Sequence, residues 1–392
     1  MGENLSQFVC TKIKSIKKGG ERKEMGFLKQ LFARKGVAGG LDLGSNTVKI
    51  IQLNMKRERE YEMTNLVIGP TPAMTIKDGT IVDPRALGDT VKQLIMNNKL
   101  SMTKVVGAVS GQSVVIRPIN MTQMTERELQ HAIKFEAERY LPYSVAEAQI
   151  KGTILRKNVE GDEKSMEVLL VAAPNEMVKN TQDVIRFAGI NPLAIDLEPF
   201  ALVRSLQLSV DPDVFNQTIA LINLGASSSS INIFKGGVLR HNRTIVVAGN
   251  SFTKAIGQSL NLSFEEADKI KKDKGVIRVE KDATPVAPTT MRIFNVIIPV
   301  LTELITEIQR SFDYYRSRYR GESVDLVILS GGTARFKNID AYIASELGVQ
   351  CQIANPLKSV NVSNVPGYTP EELQELAPSL MVGIGLSIRS LQ

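Results

Sequence analysis

The sequence has no tryptophan, and aromatic residues make up only 5% of its 392 positions. A recognition surface built on stacked rings has little material here, which weighs against nucleic acid as a partner. Cysteine is scarce as well: Cys10 and Cys351 stand far apart and in no Cys-x-x-Cys spacing. Neither a disulfide framework nor a zinc site is on offer, and the usage suits a reducing cytoplasm. Only two histidines occur, His131 and His241, too few for a histidine-rich metal centre, and each reads as a structural or surface residue. No apolar run approaches the ~18 residues of a membrane span. The longest, around Phe294 to Leu301 and Leu380 to Ile388, fall well short. The N-terminus also lacks the unbroken apolar core of a signal peptide.

The formal charge of +7 invites a nucleic-acid reading until its location is considered. Residues 1–36 hold nine Lys and Arg against three Glu, which is +6 and leaves 7 − 6 = +1 for the rest. The body is close to neutral. The basic stretch ends in "MGFLKQLFARKG", where Phe27, Leu28, Leu31 and Phe32 fall at helical spacing with Lys29, Arg34 and Lys35 between them. Two readings stay open: an amphipathic helix that makes a weak contact with an anionic membrane, or a solvated tail. Met25-Gly26-Phe27 resembles a natural start, so residues 1–24 read as an upstream extension.

With 43% hydrophobic residues the remainder is long enough for two domains with large cores. Short β-type runs alternate with helical ones from Val37 onward, the pattern of an α/β protein. "VVGAVSGQSVVIRPINM" reads as two strands, "TERELQHAIKFEAERYLP" as an amphipathic helix stopped by Pro142, and "NEMVKNTQDVIRFAGI" as a helix closed by Gly189. Residues 277–290 lose periodicity and gain Pro and Thr, as a surface loop does, before a long helical pattern over 296–318.

An internal repeat organises the whole. Leu41-Asp42-Leu43-Gly44-Ser45-Asn46-Thr47-Val48-Lys49-Ile50 matches Ile222-Asn223-Leu224-Gly225-Ala226-Ser227-Ser228-Ser229-Ser230-Ile231 in kind, 181 residues apart. Each is strand, polar residue, apolar residue, Gly, hydroxyl-rich turn, strand, and a duplicated domain is the simplest cause. Glycine at a hairpin tip lets backbone N–H groups approach a ligand, and successive N–H groups with Ser or Thr hydroxyls form an anion-sized concavity. Two such bends facing each other can grip a polyphosphate. Asp42, a hard oxygen ligand, suits a hydrated Mg²⁺, and Lys49 can offset phosphate charge. Neither turn is a Gly-x4-Gly-Lys-Ser/Thr loop.

A third glycine turn, Ser330-Gly331-Gly332-Thr333, follows the buried run Leu326 to Leu329 and precedes a helix expected from about Phe336. Paired glycines there let an α-phosphate and ribose lie against the main chain, near a helix dipole that favours anions. In "LSFEEADKIKK", Glu265 and Glu266 can accept ribose hydroxyls and Lys269 can lie along an adenine; a solvated charged helix face explains them equally well.

Three glycine turns in this order resemble the phosphate-1, phosphate-2 and adenosine motifs of the actin-like ATPase superfamily. Within it, "GLDLGSNTVKIIQL", "LQHAIKFEAERYLPY", "DLEPFALVRSL", "VVAGNSFTKAIGQSLNLSFEEADKIK" and "ILSGGTARFKNI" look most like the PilM family of type IV pilus assembly, itself similar to the division protein FtsA. The resemblance implies two ribonuclease-H-like lobes closing over ATP and Mg²⁺. It places a first lobe over 37–205 with an inserted subdomain at about 75–148. A second lobe covers 206–392, with a nucleotide-binding insertion at about 251–300 and a C-terminal helix returning to the first lobe.

Carried onto this chain, Asp42, Gly44, Ser45, Asn46 and Lys49 form the first phosphate bend, with Asp42 on the metal, and Asn223, Gly225, Ser227 and Ser228 the second. Gly331, Gly332 and Thr333 form the adenosine turn. Glu198, in "LEPF", matches the element beside the attacking water and can orient it, although a helix-start glutamate stabilised by the dipole accounts for it too. Asn223 stands where the family usually has aspartate, which argues for ATP binding with slow turnover or none.

The implied partners are the N-terminal cytoplasmic tail of a PilN-like membrane protein, other proteins of the assembly platform, and further copies of the chain. The implied location is cytoplasmic, peripheral at the inner face of the membrane. "DLGSNT" also resembles the opening of exopolyphosphatases, so a phosphotransferase or polyphosphatase on the same fold is an alternative. An FtsA-like division filament protein is another; it would carry a C-terminal membrane helix, whereas "LMVGIGLSIRSLQ" reads as a buried helix.

Overall fold

The computed structural model describes residues 37–392, apart from 58–59, 78, 160–161 and 279–286. The amphipathic segment at Phe27 to Phe32 therefore lies outside the described residues.

In chain order, β1 (Val37–Leu43), β2 (Thr47–Arg57) and β3 (Glu60–Pro70) form an antiparallel meander. A small ribbon follows, β4 (Ile76–Lys77) with β5 (Thr80–Ile81), then α1 (Pro84–Asn97) and β6 (Met102–Val109). β6 lies parallel to β1 and is followed by β7 (Val115–Thr122), α2 (Glu126–Ala137), β8 (Ala148–Val159) and β9 (Asp162–Pro174). Then come α3 (Asn175–Phe187), β10 (Asn191–Leu197) parallel to β6, and α4 (Glu198–Ser209). The pattern begins again with an antiparallel meander, β11 (Thr218–Leu224), β12 (Ser229–Lys235) and β13 (Val238–Ile245). Three helices, α5 (Gly249–Leu260), α6 (Phe264–Lys274) and α7 (Pro288–Arg318), precede β14 (Leu326–Ser330), which runs parallel to β11. The chain ends with α8 (Ile339–Leu347), β15 (Gln350–Ile353), β16 (Val360–Asn361), α9 (Pro370–Leu376) and α10 (Met381–Leu391).

The two main sheets have the orders β10-β6-β1-β2-β3-β16 and β13-β12-β11-β14-β15. Reversing the second shows the same plan twice: a three-stranded meander whose first strand takes one parallel partner, which takes a second in turn. The repeat of the glycine turns is thus a repeat of whole sheets, and each bend joins the first two strands of its meander.

Local chemistry explains the helices. Thr125 and Glu128 close a reciprocal cap on α2. Along α7, Ile293, Ile297, Leu301, Leu304, Ile308, Phe312 and Tyr315 recur at three- and four-residue spacing and are buried against the second sheet. The helix begins at Pro288, whose missing N–H costs nothing in a first turn. α10 is buried from Met381 to Ile388 and lies on β1, β2 and α4, so the last segment of the chain completes the first lobe. Gly385 permits this approach: a Cβ there would sit 1.9 Å from the Ala201 carbonyl oxygen. Ser387 Oγ accepts from the Leu53 N–H at 3.1 Å, and Ser205 Oγ donates to the Met381 carbonyl.

Several boundaries differ from the sequence reading: α2 ends at Ala137, ahead of Pro142, and α7 starts at Pro288, ahead of 296, and two further differences concern the insertion and α8. The separate sheet of the first lobe is β7-β9-β8, spanning 115–174, whereas α1 and β6, inside the 75–148 expected for the insertion, belong to the main lobe. The reason is non-local, since β6 is claimed by its parallel pairing with β1. The helix expected from about Phe336 begins at Ile339: a 3₁₀ turn occupies Gly332–Arg335, and Asn338, at φ 68°, interrupts the chain before α8. The dipole of α8 is thereby set back from the paired glycines.

Candidate functional site

At the first bend, Asp42 lies directly opposite Lys49 in the β1–β2 register. Lys49 Nζ donates to Asp42 Oδ2 at 2.9 Å, with the two side chains only 12% and 15% exposed. Gly44 N–H donates to the Thr47 carbonyl at 3.2 Å and closes the turn, leaving Ser45 and Asn46 at its tip. Thr71, beyond β3, braces it: its hydroxyl donates to the Gly44 carbonyl at 2.6 Å and its N–H to the Asn46 carbonyl at 3.1 Å.

The second bend repeats the closure. Gly225 N–H donates to the Ser228 carbonyl, also at 3.2 Å. Two elements converge on it, the start of α5 and the Gly332–Arg335 turn: Gly249 N–H (3.0 Å) and the Thr333 hydroxyl (2.9 Å) donate to the Gly225 carbonyl, and Asn250 N–H to that of Ala226 (2.7 Å). Gly331 sits behind it at φ 90°, ψ 169°, a backbone region essentially reserved for glycine, and its N–H donates to the Pro378 carbonyl at 2.8 Å. Across the cleft the two bends meet tip to tip, with Ser45 Oγ and Ser227 Oγ 2.5 Å apart.

Glu198 opens α4 at the floor of this cleft. Its Oε1 accepts from Asn223 Nδ2 at 2.9 Å and from the Ser230 hydroxyl at 2.8 Å. Burial lifts its pKa above the ordinary glutamate value; hydrogen bonds from Asn223, Ser230 and Ser110 oppose the rise and the charge of Asp42 adds to it. Asn223 Oδ1 in turn accepts from the Ser330 hydroxyl at 3.3 Å. Both ends of the Asn223 amide are thus engaged by protein. A polar chain continues inward: Asn232 Nδ2 donates to Ser230 Oγ at 3.1 Å, and Asn242 Nδ2 to Asn232 Oδ1 at 2.7 Å.

On the third side the residues separate. Gly332 is exposed, with open space where a Cβ would stand. Glu265 and Lys269 are exposed on α6, but the Glu266 carboxylate is taken by the helix cap, accepting from Ser263 N–H (2.9 Å) and hydroxyl (2.8 Å). The lysine that reaches inward is Lys271. Its Nζ donates to Asp268 Oδ1 (2.6 Å), Thr253 Oγ1 (2.6 Å) and the Gly249 carbonyl (3.2 Å). Burial lowers its pKa and the Asp268 carboxylate opposes that. The only sequence signal for Lys271 was its spacing three residues after Asp268. Among the described residues no group of three or more His, Cys, Asp or Glu gathers as a metal cage. A lone carboxylate such as Asp42 fits Mg²⁺, which keeps several waters and is held through one or two carboxylates together with substrate phosphates.

Comparison with known proteins decides the family. The sequence profile described as "Type IV pilus assembly protein PilM" matches residues 40–391. The chain belongs to the PilM family. Among solved structures it is similar to the PilM-PilN type IV pilus biogenesis complex, at 28% identity and a TM-score of 0.78, covering 91% of this chain and 98% of that one. The cell division protein FtsA of Escherichia coli K12 is 21% identical over 358 residues, 81% of this chain and 84% of its own length. MreB 5 of Spiroplasma citri bound to AMPPNP, at 15% identity and a TM-score of 0.51 over 91% and 96% of the two chains, shares the fold. That fold is the actin-like ATPase fold, as the glycine turns implied. Like other PilM family members, the chain is a component of type IV pilus assembly. Among the described residues no helix is long and apolar enough to cross a membrane.

Proposed function

We propose that this PilM family member binds ATP with Mg²⁺ between its two glycine bends and docks the N-terminal cytoplasmic tail of a PilN-like membrane protein, acting in the cytoplasm at the inner face of the membrane. The observation that carries the nucleotide half is the 2.5 Å approach of Ser45 and Ser227, which brings the amides and hydroxyls of both turns to one point. The amides of Gly44 to Asn46 and of Gly225 to Ser228 would hold phosphate oxygens, and Lys49 would exchange its bond to Asp42 for one to phosphate. Asp42 would then be free to orient the ion's waters. Bound Mg²⁺ supplies charge neutralisation on the phosphates. Gly332 leaves room for the nucleoside, with Lys271 rather than Lys269 or Glu266 holding the neighbouring helices in register.

Glu198 would orient water for attack on the terminal phosphate. Asn223 brings no negative charge and its amide is already engaged, so the metal keeps a single anionic partner and turnover is slow or absent. The partner half is supported by the PilM-PilN complex, with which this chain shares the fold over nearly its whole length. An extended tail would gain affinity from main-chain hydrogen bonds and specificity from pockets for alternate side chains.

A titration of the full-length protein with a synthetic PilN-like tail, with and without ATP and Mg²⁺, tests both halves. The expected outcome is saturable binding of the tail and of the nucleotide, with no sustained release of phosphate. Sustained release at rates usual for ATPases, abolished in Asp42→Ala, would contradict the slow turnover, and failure of the tail to bind in either state would contradict the docking.

A further inference from the structure

We propose that a cavity between the inserted sheet and the second lobe, distinct from the nucleotide cleft, is a binding site for a small carboxylate group of about the size of a glutamate side chain. The cavity measures about 240 Å³, roughly eight water volumes at ~30 Å³ each. β7 and Tyr140 wall it on one side, β13 and the end of α7 on the other. Three arginines line it, Arg117, Arg240 and Arg318, and no carboxylate does.

The charge there is not compensated from within. Arg240 is neutralised by Glu167, through bonds of 3.0 and 2.9 Å, and that carboxylate also takes Arg156 at 3.2 Å. Arg117 and Arg318 have no carboxylate partner among the described residues. The Arg117 guanidinium stacks 4.5 Å from the centroid of the Tyr140 ring. Stacking holds the fork flat and leaves its N–H edge for a planar acceptor such as a carboxylate. His241, on the same wall, has a buried Nε2 with no hydrogen-bond partner. Burial chiefly, with smaller contributions from the charges of Arg243, itself paired with Glu307, and of Arg117, holds its pKa down to about 4. Val114, Ile116 and Pro118 supply apolar wall for a short methylene chain, the mixture of apolar lining and few polar groups found in small-ligand sites.

The chain's two histidines make the test clean. With ¹³C-labelled histidine, the exposed His131 serves as control and His241→Gln assigns the signals. Glutarate, and separately a blocked tripeptide containing glutamate, are titrated into the full-length protein at constant ionic strength. The expected result is a saturable shift of the His241 signal with at least one of them, the His131 signal staying still, and affinity at least tenfold weaker in Arg117→Gln or Arg318→Gln. Saturation by glutarate alone identifies a free small acid as the source; saturation by the tripeptide alone identifies an acidic side chain of a partner. No shift with either probe, an equal shift with matched sodium chloride, or unchanged affinity in both arginine variants overturns the proposal. Arg318, exposed at a helix end, keeps the test open should Arg117→Gln fail to fold.

Discussion

Replacing Gly331 by alanine is expected to damage the fold, whereas the same change at its neighbour Gly332 should leave it intact. Gly331 sits at φ 90° and ψ 169°, where a side chain costs of order 1–3 kcal/mol in backbone strain alone. The added Cβ would also stand 2.3 Å from the Leu224 carbonyl oxygen and 2.7 Å from Asn223 Oδ1. The first of these is backbone of the second bend and cannot swing aside, so the total loss is about 3 kcal/mol or more. At ~1.2 °C per kcal/mol for a chain of this size, the melting temperature falls by about 4 °C. Gly332 has nothing within 4 Å of its would-be Cβ, so its variant should melt within about 1–2 °C of the parent. Its methyl would enter the space proposed for the nucleoside and weaken nucleotide binding about tenfold, ~1.4 kcal/mol. Thermal melts and nucleotide titrations of both variants separate the two effects. Equal melting temperatures for Gly331→Ala and Gly332→Ala would refute the steric reasoning.

Two further expectations concern protons. Because the folded pKa of Glu198 is raised, ionising it as pH climbs past about 4.5 destabilises the folded state; Glu198→Gln should therefore raise the melting temperature at pH 7 and give no gain below about pH 4. His241 shifts the other way for a base, from 6.5 down to about 4, so stability is complete above pH 6.5 and falls as pH drops towards 4. His241→Gln should remove roughly 3 kcal/mol of that acid sensitivity, measured by denaturant melts at pH 7 and pH 4. An unchanged difference between the two pH values would show that His241 titrates normally.

The bends were legible because their chemistry is local: glycine and hydroxyls between apolar runs, written twice at one spacing. The caps at Thr125/Glu128 and Ser263/Glu266 are equally local, and the Ser-x-x-Glu spacing already held the reason why Glu266 is occupied by its own helix. What escaped was set by contacts far apart in sequence. The pairing of β6 with β1 decides where the insertion begins, and nothing in the periodicity of 102–109 announces it. Lys271 and Lys269 differ by two positions on one helix, yet only packing of α6 on α5 decides which turns inward. The polar chain from Glu198 to Asn242 joins strands and a helix whose residues have no local reason to be polar.

The most direct measurement is a structure of the protein crystallised with AMPPNP and Mg²⁺. It should show phosphate oxygens held by main-chain N–H groups of both bends, Lys49 moved from Asp42 to phosphate, and the Ser45–Ser227 hydrogen bond replaced by contacts to the ligand. A nucleotide bound elsewhere, or a cleft in which Ser45 and Ser227 still touch at saturating AMPPNP, would contradict it.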